Sequence, residues 1–322
     1  MQQPADFMSE PIMSGLVVKN TGSWYMVKTD SGSLVECKVK GNFRIKGIKS
    51  TNPVAVGDHV DIKVNAGGTA LITAIHDRRN YIVRKPSNLS KQLHVIGANL
   101  DQSFLVVTVS HPETPLEFID RFLATSEAYR VPATLVINKA DLYGEAERGV
   151  MHAMQHLYSG IGYECRVVSA VTGEGMDRLR EALAGRVTLF SGNSGVGKST
   201  LLNALLPHAG AKTGAISAVH DTGMHTTTFS EMFDTGNGGY IIDTPGIKGF
   251  GTFDMCREEV GHYFPEIFST AAGCRYGNCM HLHEPGCAVK AAVEEGSIAL
   301  SRYESYLSIM DDEEEGKYRP AY

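Results

Sequence analysis

From about Ile12 to Ile82, apolar and polar positions alternate in short runs: GLVVKN, SWYMVKT, SLVECKV, HVDIKV and TALITAIH. Successive side chains of a strand point to opposite faces, so each run predicts a half-buried strand. The turn clusters NTG, DSGS, KGN and NAGG separate them. Five short strands in some seventy residues predict a small OB-like β-barrel over residues 12–82. Residues 1–11 are polar, carry two prolines and show no period, which reads as a disordered N-terminus.

Beyond about residue 90 the pattern changes. SFLVVTVS, PATLVIN, ECRVVSA and VTLFSG are buried-strand runs. Between and after them, LEFIDRFLATSEAYR, residues 144–158, GMDRLREALA and KSTLLNALL have helical spacing. Strands alternating with helices predict a parallel sheet with crossovers, an α/β domain over residues 90–255. The remainder, 256–322, reads as a small, mostly helical domain with Cys and His residues in a loop. It ends in DDEEEGKYRPAY, read as a frayed, solvated tail.

Composition narrows the function classes. The 322 residues carry a net charge of −6, which argues against a wholly basic nucleic-acid binder. The N-terminus lacks a signal-peptide pattern, and no apolar run approaches the roughly 18 residues of a membrane span. A soluble, cytoplasmic protein with no membrane partner is the expectation. A monomer is expected too, because no segment reads as a dimer seam. One stretch departs from the average. KVKGNFRIKGIK (38–49) holds Lys38, Lys40, Arg44, Lys46 and Lys49 around Phe43 and no acid. It suits a nucleic-acid backbone and a stacked base, and suits equally a solvated charge run.

The sharpest chemistry lies in three motifs, each at the end of a strand run. Gly192, Asn193, Ser194, Gly195, Val196, Gly197, Lys198 and Ser199 match G-x-x-x-x-G-K-[ST], between strand VTLF and a helix that continues with Thr200. Glycines let backbone N–H groups turn inward around phosphates, and the helix N-terminus adds partial positive charge. Lys198 would reach the β- and γ-phosphates, and the Ser199 hydroxyl would ligate Mg²⁺. Strand YII ends in Asp243-Thr-Pro-Gly246. There Asp243 would hold magnesium through water, and the Gly246 N–H could approach a γ-phosphate. The intervening loop GMHTTT offers a hydroxyl from Thr226 or Thr227.

The third motif selects the base. Strand ATLVI ends in Asn138-Lys139-Ala140-Asp141. One carboxylate can accept from both N1–H and N2–H₂ of guanine, a donor pair that adenine lacks. A wrong base would leave a buried carboxylate unpaired. Asn138 would brace the loop, the Lys139 stem would lie along a base face, and Ser169-Ala170 would supply an N–H for guanine O6. Together the motifs read as a guanine-nucleotide site at the C-terminal ends of an open sheet. Their order is unusual. The base reader precedes the phosphate loop, whereas ordinary regulatory GTPases have the reverse, so the domain reads as circularly permuted. The segment after Gly246, which would sense the γ-phosphate, then leads straight into the C-terminal part.

There, three of the six cysteines sit within fourteen residues. Cys274-x4-Cys279-x-His281-x5-Cys287 offers three thiolates and an imidazole, a closed tetrahedral set for one structural zinc. His283 competes as the fourth ligand.

An OB-like barrel, a permuted GTPase carrying NKAD, SA, GNSGVGKS, HTTT and DTPG, and CRYGNCMHLHEPGCAV together resemble the ribosome small-subunit-dependent GTPase A family, RsgA or YjeQ. The resemblance covers roughly residues 12–310. It implies a circularly permuted P-loop GTPase domain between an OB-like barrel and a small, mostly helical zinc domain. It also implies slow GTP hydrolysis stimulated by the small ribosomal subunit, a role in late maturation of that subunit, and contacts to its rRNA. Ile247 stands where many GTPases place a water-orienting Gln, as is usual in this family. Another group must therefore position the water, and His225 in the Thr-rich loop is the candidate, against an ordinary loop histidine. Met224 stands where a polar or basic side chain is expected. Two other readings compete: a GTP-gated RNA clamp with incidental hydrolysis, and a metal-delivery protein using the thiols.

Overall fold

The computed structural model describes residues 12–39, 53–64, 70–84, 94–206, 231–243 and 255–315. The chain divides into two units, Met1–Asn99 with Met224–Phe233 and Leu100–Gly223 with Asp234–Tyr322.

In the first unit the five alternating runs become β1 (Ile12–Asn20), β2 (Tyr25–Thr29), β3 (Leu34–Val39), β4 (His59–Val64) and β5 (Ala70–Ile75). β1 pairs antiparallel with β2 and β4, β2 with β3, and β4 with β5, while β3 and β5 run parallel. The ladder closes on itself, so no strand among these five has a free edge. The inward set is the alternate residues Val17, Tyr25, Val27, Cys37, Val60, Ile62, Ala70 and Ile72, joined by Val54. One buried ion pair fastens the chain around β4. Asp58 is 0% exposed and takes Arg78 Nε and Nη2 at 2.6 Å each, and also accepts from the Ala55 N–H at 2.7 Å. Outside the barrel, β6 (Tyr81–Arg84) and β7 (His94–Ala98) form an antiparallel pair that the sequence reading did not anticipate. Within the basic stretch, the Lys38 ammonium lies 4.0 Å from the centre of the Trp24 ring. Residues 40–49 lie outside the described residues, as do 1–11.

The second unit is built on β8 (Gln102–Val107), β9 (Ala133–Ile137), β10 (Glu164–Val167), β11 (Val187–Gly192) and β13 (Tyr240–Asp243), while the short β12 (Glu231–Asp234) falls almost wholly in the first unit. The five run parallel in the order β10-β9-β8-β11-β13. Every residue of β8 is buried, as befits a central parallel strand covered on both faces. The helices are α1 (Leu116–Ala128), α2 (Glu145–Ile161), α3 (Met176–Leu183) and α4 (Lys198–Leu205). Next come a 3₁₀ segment (Arg257–Tyr263), α5 (Pro265–Ala271), α6 (Ala288–Glu294) and α7 (Leu300–Glu315). The backbone of α7 continues through the first acidic residues of the expected tail. These C-terminal elements share a core of Met255, Val260, Phe264, Ile267, Val289, Ile298, Tyr306, Ile309 and Met310 with Ala124 of α1. No helix among the described residues is long and apolar enough to cross a membrane.

Candidate nucleotide site and cysteine cluster

The site sits at the C-terminal ends of β8, β9, β10, β11 and β13, where the carbonyl ends of a parallel sheet open toward loops. β11 delivers Gly192, and α4 begins at Lys198. Between them, Asn193 is half-buried, Ser194 and Gly195 are exposed and Val196 is buried. Gly197 has φ +88°, and a Cβ there would meet Asn138 Nδ2 at 2.5 Å. The loop is therefore drawn tight against the base-reading motif, as only a glycine permits.

Two hydrogen bonds make that junction. Asn138 Nδ2 donates to the Val196 carbonyl at 2.9 Å, and Lys139 Nζ donates to the Gly195 carbonyl at 2.7 Å. Lys139 adopts φ +64° and also donates to the His111 carbonyl at 2.5 Å. Tyr143 completes the frame, donating to the Asn138 carbonyl at 2.5 Å and accepting from the Val109 N–H at 3.0 Å. Ser169 is fully buried, and its hydroxyl donates to Asp141 Oδ1 at 2.6 Å, while Ala170 is half-buried. The Asp141 residue itself is exposed, so its carboxylate is oriented by Ser169 and still open to a ligand. On the phosphate side, Lys198 Nζ lies 3.1 Å from Asp243 Oδ1, and both side chains are buried. Ser199 is half-buried and Thr200 exposed on the first turn of α4.

The structure thus brings together Asn138, Lys139, Asp141, Ser169, Ala170, residues 192–200 and Asp243 from four separate strand ends, those of β9, β10, β11 and β13. His225, Thr226, Thr227 and Gly246 lie outside the described residues. Sequence reasoning missed the loop after β8. Thr108 Oγ1 donates to the Pro112 carbonyl at 2.5 Å, and Thr114 Oγ1 accepts from the Thr108 N–H at 3.0 Å. This turn places Pro112 Cδ 3.1 Å from where a Cβ of Gly195 would stand. Its signal, Thr-Val-Ser-His-Pro-Glu-Thr after a buried strand, is ordinary turn chemistry and names no role.

In the C-terminal part, one donor atom from each of Cys274, Cys279, His281 and Cys287 lies within 4.8 Å of the others. Tetrahedral zinc places sulfurs about 3.8 Å apart and sulfur about 3.6 Å from nitrogen. Cys274 Sγ to Cys287 Sγ is 3.9 Å, and His281 Nδ1 lies 3.6 Å and 3.4 Å from those two sulfurs. The set fits such an ion, and the cysteines are free thiols. His283 is exposed and stands outside the set. Burial and the neighbouring thiols of Cys287 and Cys274 push the Cys279 thiol up to about 12. Burial also opposes ionisation of Cys274, but Val289 and Ala288 N–H groups outweigh it and bring that thiol below its usual value. Burial lowers His281, which favours the neutral, ligating imidazole. The segment between the ligands is shaped by Glu284. Its carboxylate accepts from the N–H groups of Met280, Leu282 and His283 at 2.7, 2.8 and 3.0 Å. Burial alone would raise it, yet these bonds hold it at about 2.

Comparison with known proteins agrees with this geometry. Residues 75–253 match the family model for the RsgA GTPase, and residues 14–72 match that for the RsgA N-terminal domain. The small ribosomal subunit biogenesis GTPase RsgA of Bacteroides fragilis (strain YCH46) is 66% identical over 310 residues, spanning 96% of this chain and 100% of the relative. The protein of that name from Porphyromonas gingivalis (strain ATCC 33277) is 57% identical over 315 residues, spanning 96% and 100%. Among solved structures, YjeQ from Thermotoga maritima superposes with a TM-score of 0.76 at 35% identity, covering 96% of this chain and 100% of that one. YloQ, a circularly permuted GTPase, gives 0.72 at 28% identity, covering 97% and 99%. With its barrel, its permuted strand order and its interlocked nucleotide loops, this chain belongs to the RsgA GTPase family.

Proposed function

We propose that this chain hydrolyses GTP to GDP and phosphate in the biogenesis of the small ribosomal subunit, and that the subunit stimulates its turnover. The observation that carries the reading is the interlock of base reader and phosphate loop through Asn138–Val196 and Lys139–Gly195. The names of the relatives supply the ribosomal context.

In this reading Asp141, oriented by Ser169, accepts from the guanine edge, and the Ala170 N–H meets O6. The Lys139 stem lies along the base. Backbone N–H groups of residues 193–199 wrap the phosphates, with Thr200 beside them. Lys198, now paired with Asp243, turns to the β- and γ-phosphates as these arrive. Magnesium, when bound, would neutralise phosphate oxygens; Ser199, Asp243 and one of Thr226 and Thr227 are the oxygens to hold it. The Gly246 N–H faces the γ-phosphate, and His225 positions the water. Zinc, when bound, would cross-link Cys274, Cys279, His281 and Cys287. The basic stretch at 38–49 suits rRNA, and the protein acts as a cytoplasmic monomer.

The experiment is co-sedimentation with purified small ribosomal subunits. More protein should pellet with a non-hydrolysable GTP analogue than with GDP. His225→Ala should retain GTP binding and pelleting yet lose stimulated turnover. Equal recovery in both nucleotide states would count against the subunit as the partner.

A further inference from the structure

Helix α7 carries a side chain that the nucleotide site does not use. Arg302 is 0% exposed. Its Nη1 donates to Asp120 Oδ1 of α1 at 2.8 Å, and its Nε and Nη2 donate to the two Glu266 oxygens of α5 at 2.6 and 3.2 Å. The guanidinium stands 4.5 Å from the centre of the Phe264 ring. Asp120 Oδ1 also accepts from the Tyr158 hydroxyl of α2 at 2.7 Å. One buried cation therefore joins α7 to three other helices.

The next residues on α7 reach the cysteine cluster. Tyr303 donates to the His281 carbonyl at 2.5 Å, and Tyr306 donates to the Met280 carbonyl at 2.8 Å. Further along, Ser308 Oγ donates to Glu117 at 2.7 Å and accepts from Arg121 at 2.9 Å, both on α1. α1 starts directly after the Thr108–Thr114 turn, whose His111 carbonyl holds Lys139 and whose Pro112 abuts Gly195. Contact is continuous from the cluster to the phosphate loop, and it bypasses the Asp243–Gly246 segment.

We propose that α7 is a strut through which the metal-loaded cysteine cluster positions α1 and, through α1, the turn that supports the phosphate loop, with Arg302 as the positioning residue. A buried ion network is either fully made or strands its partners, so the joint has two states instead of a graded range. Fixing Met280 and His281 by a cross-link at Cys279, His281 and Cys287 gives the two tyrosines stationary acceptors and holds Arg302 in place. Loosening that segment releases α7, and Asp120 loses its cation.

The proposal rests on the nucleotide-site reading, and the test separates the two. Affinity for a fluorescent GDP is measured on the full chain, zinc-loaded and after chelation, together with hydrogen exchange in Leu116–Ala128. Chelation should weaken GDP about 5-fold or more and speed exchange in α1. Saturating GDP should slow loss of zinc to the chelator, because coupling is reciprocal. Tyr303→Phe with Tyr306→Phe keeps the rings and the ligands but should shrink the coupling toward onefold; Arg302→Met should do the same. Loaded protein that binds no GDP would sink the nucleotide reading and the strut with it. GDP affinity and α1 exchange both unmoved by chelation would overturn the strut alone, as would full coupling in the tyrosine variant.

Discussion

Lys139 shows how much one side chain does at this site. Its backbone is left-handed, and its ammonium spans two carbonyls, of His111 and Gly195, from two different loops. A base stacking on the stem meets a side chain already ordered, so little rotamer entropy remains to be lost. Asp141 is prepared in the same way by Ser169. Asp141→Ala should therefore weaken GDP strongly and cut the preference for GDP over ADP by about 10³-fold or more, measured by competition binding. An undiminished preference would place base selection elsewhere. Gly197 carries the tight junction. Gly197→Ala adds an atom 2.5 Å from Asn138 Nδ2 on a left-handed backbone, a strain of about 1–3 kcal/mol. GDP affinity should fall about tenfold or more by calorimetry, and an unchanged affinity would mean the junction gives way freely.

At the scale of elements, what the sequence revealed follows from local physics. The five barrel strands stood out because one face of each is buried, giving a clean period of two. β8 and β11 stood out as continuous apolar runs. β6 and β7 did not, because these short apolar runs, YIVR and HVIGA, lie between the barrel's alternation and the α/β pattern and belong to neither period. Arg302 was not legible either: a lone arginine in a polar helix reads as solvated, and its partners Asp120 and Glu266 lie far off in sequence. The spacing pointed to Cys274, Cys279, His281 and Cys287 with His283 in competition, and these four are the residues whose donor atoms the fold gathers into a set that could hold a metal ion. Glu284 makes the segment between those ligands dependent on pH. Its pKa falls from 4.5 to about 2 on folding, so its stabilisation is complete above about 4.5 and is lost as pH falls toward about 2. In thermal melts, the gap between the parent and Glu284→Gln should be widest near neutral pH and close across that window. A gap that stays constant into acid would show that the carboxylate charge is not what orders the segment.

At the scale of the whole chain, the strand order explains how permutation spares the site. The phosphate-loop strand β11 comes late in the sequence yet lies between β8 and β13, with the base-reading strand β9 one further out. Loops from neighbouring strand ends meet whichever order the chain visits them. The motifs were therefore readable one by one, while their mutual bracing and the turn after β8 were not, since both arise from strands brought together only by the sheet. The C-terminal elements share a core with α1, so residues 255–315 belong to the same unit as the candidate nucleotide site.

The most direct test of the account is GTP turnover by the purified protein, alone and with purified small ribosomal subunits, beside Lys198→Ala. The account predicts slow turnover alone, stimulation by the subunit of several orders of magnitude, and a loss of about 10²-fold or more in the variant. GDP and GTP bound tightly but turned over no faster with the subunit would contradict the central claim, leaving a nucleotide-gated clamp in its place.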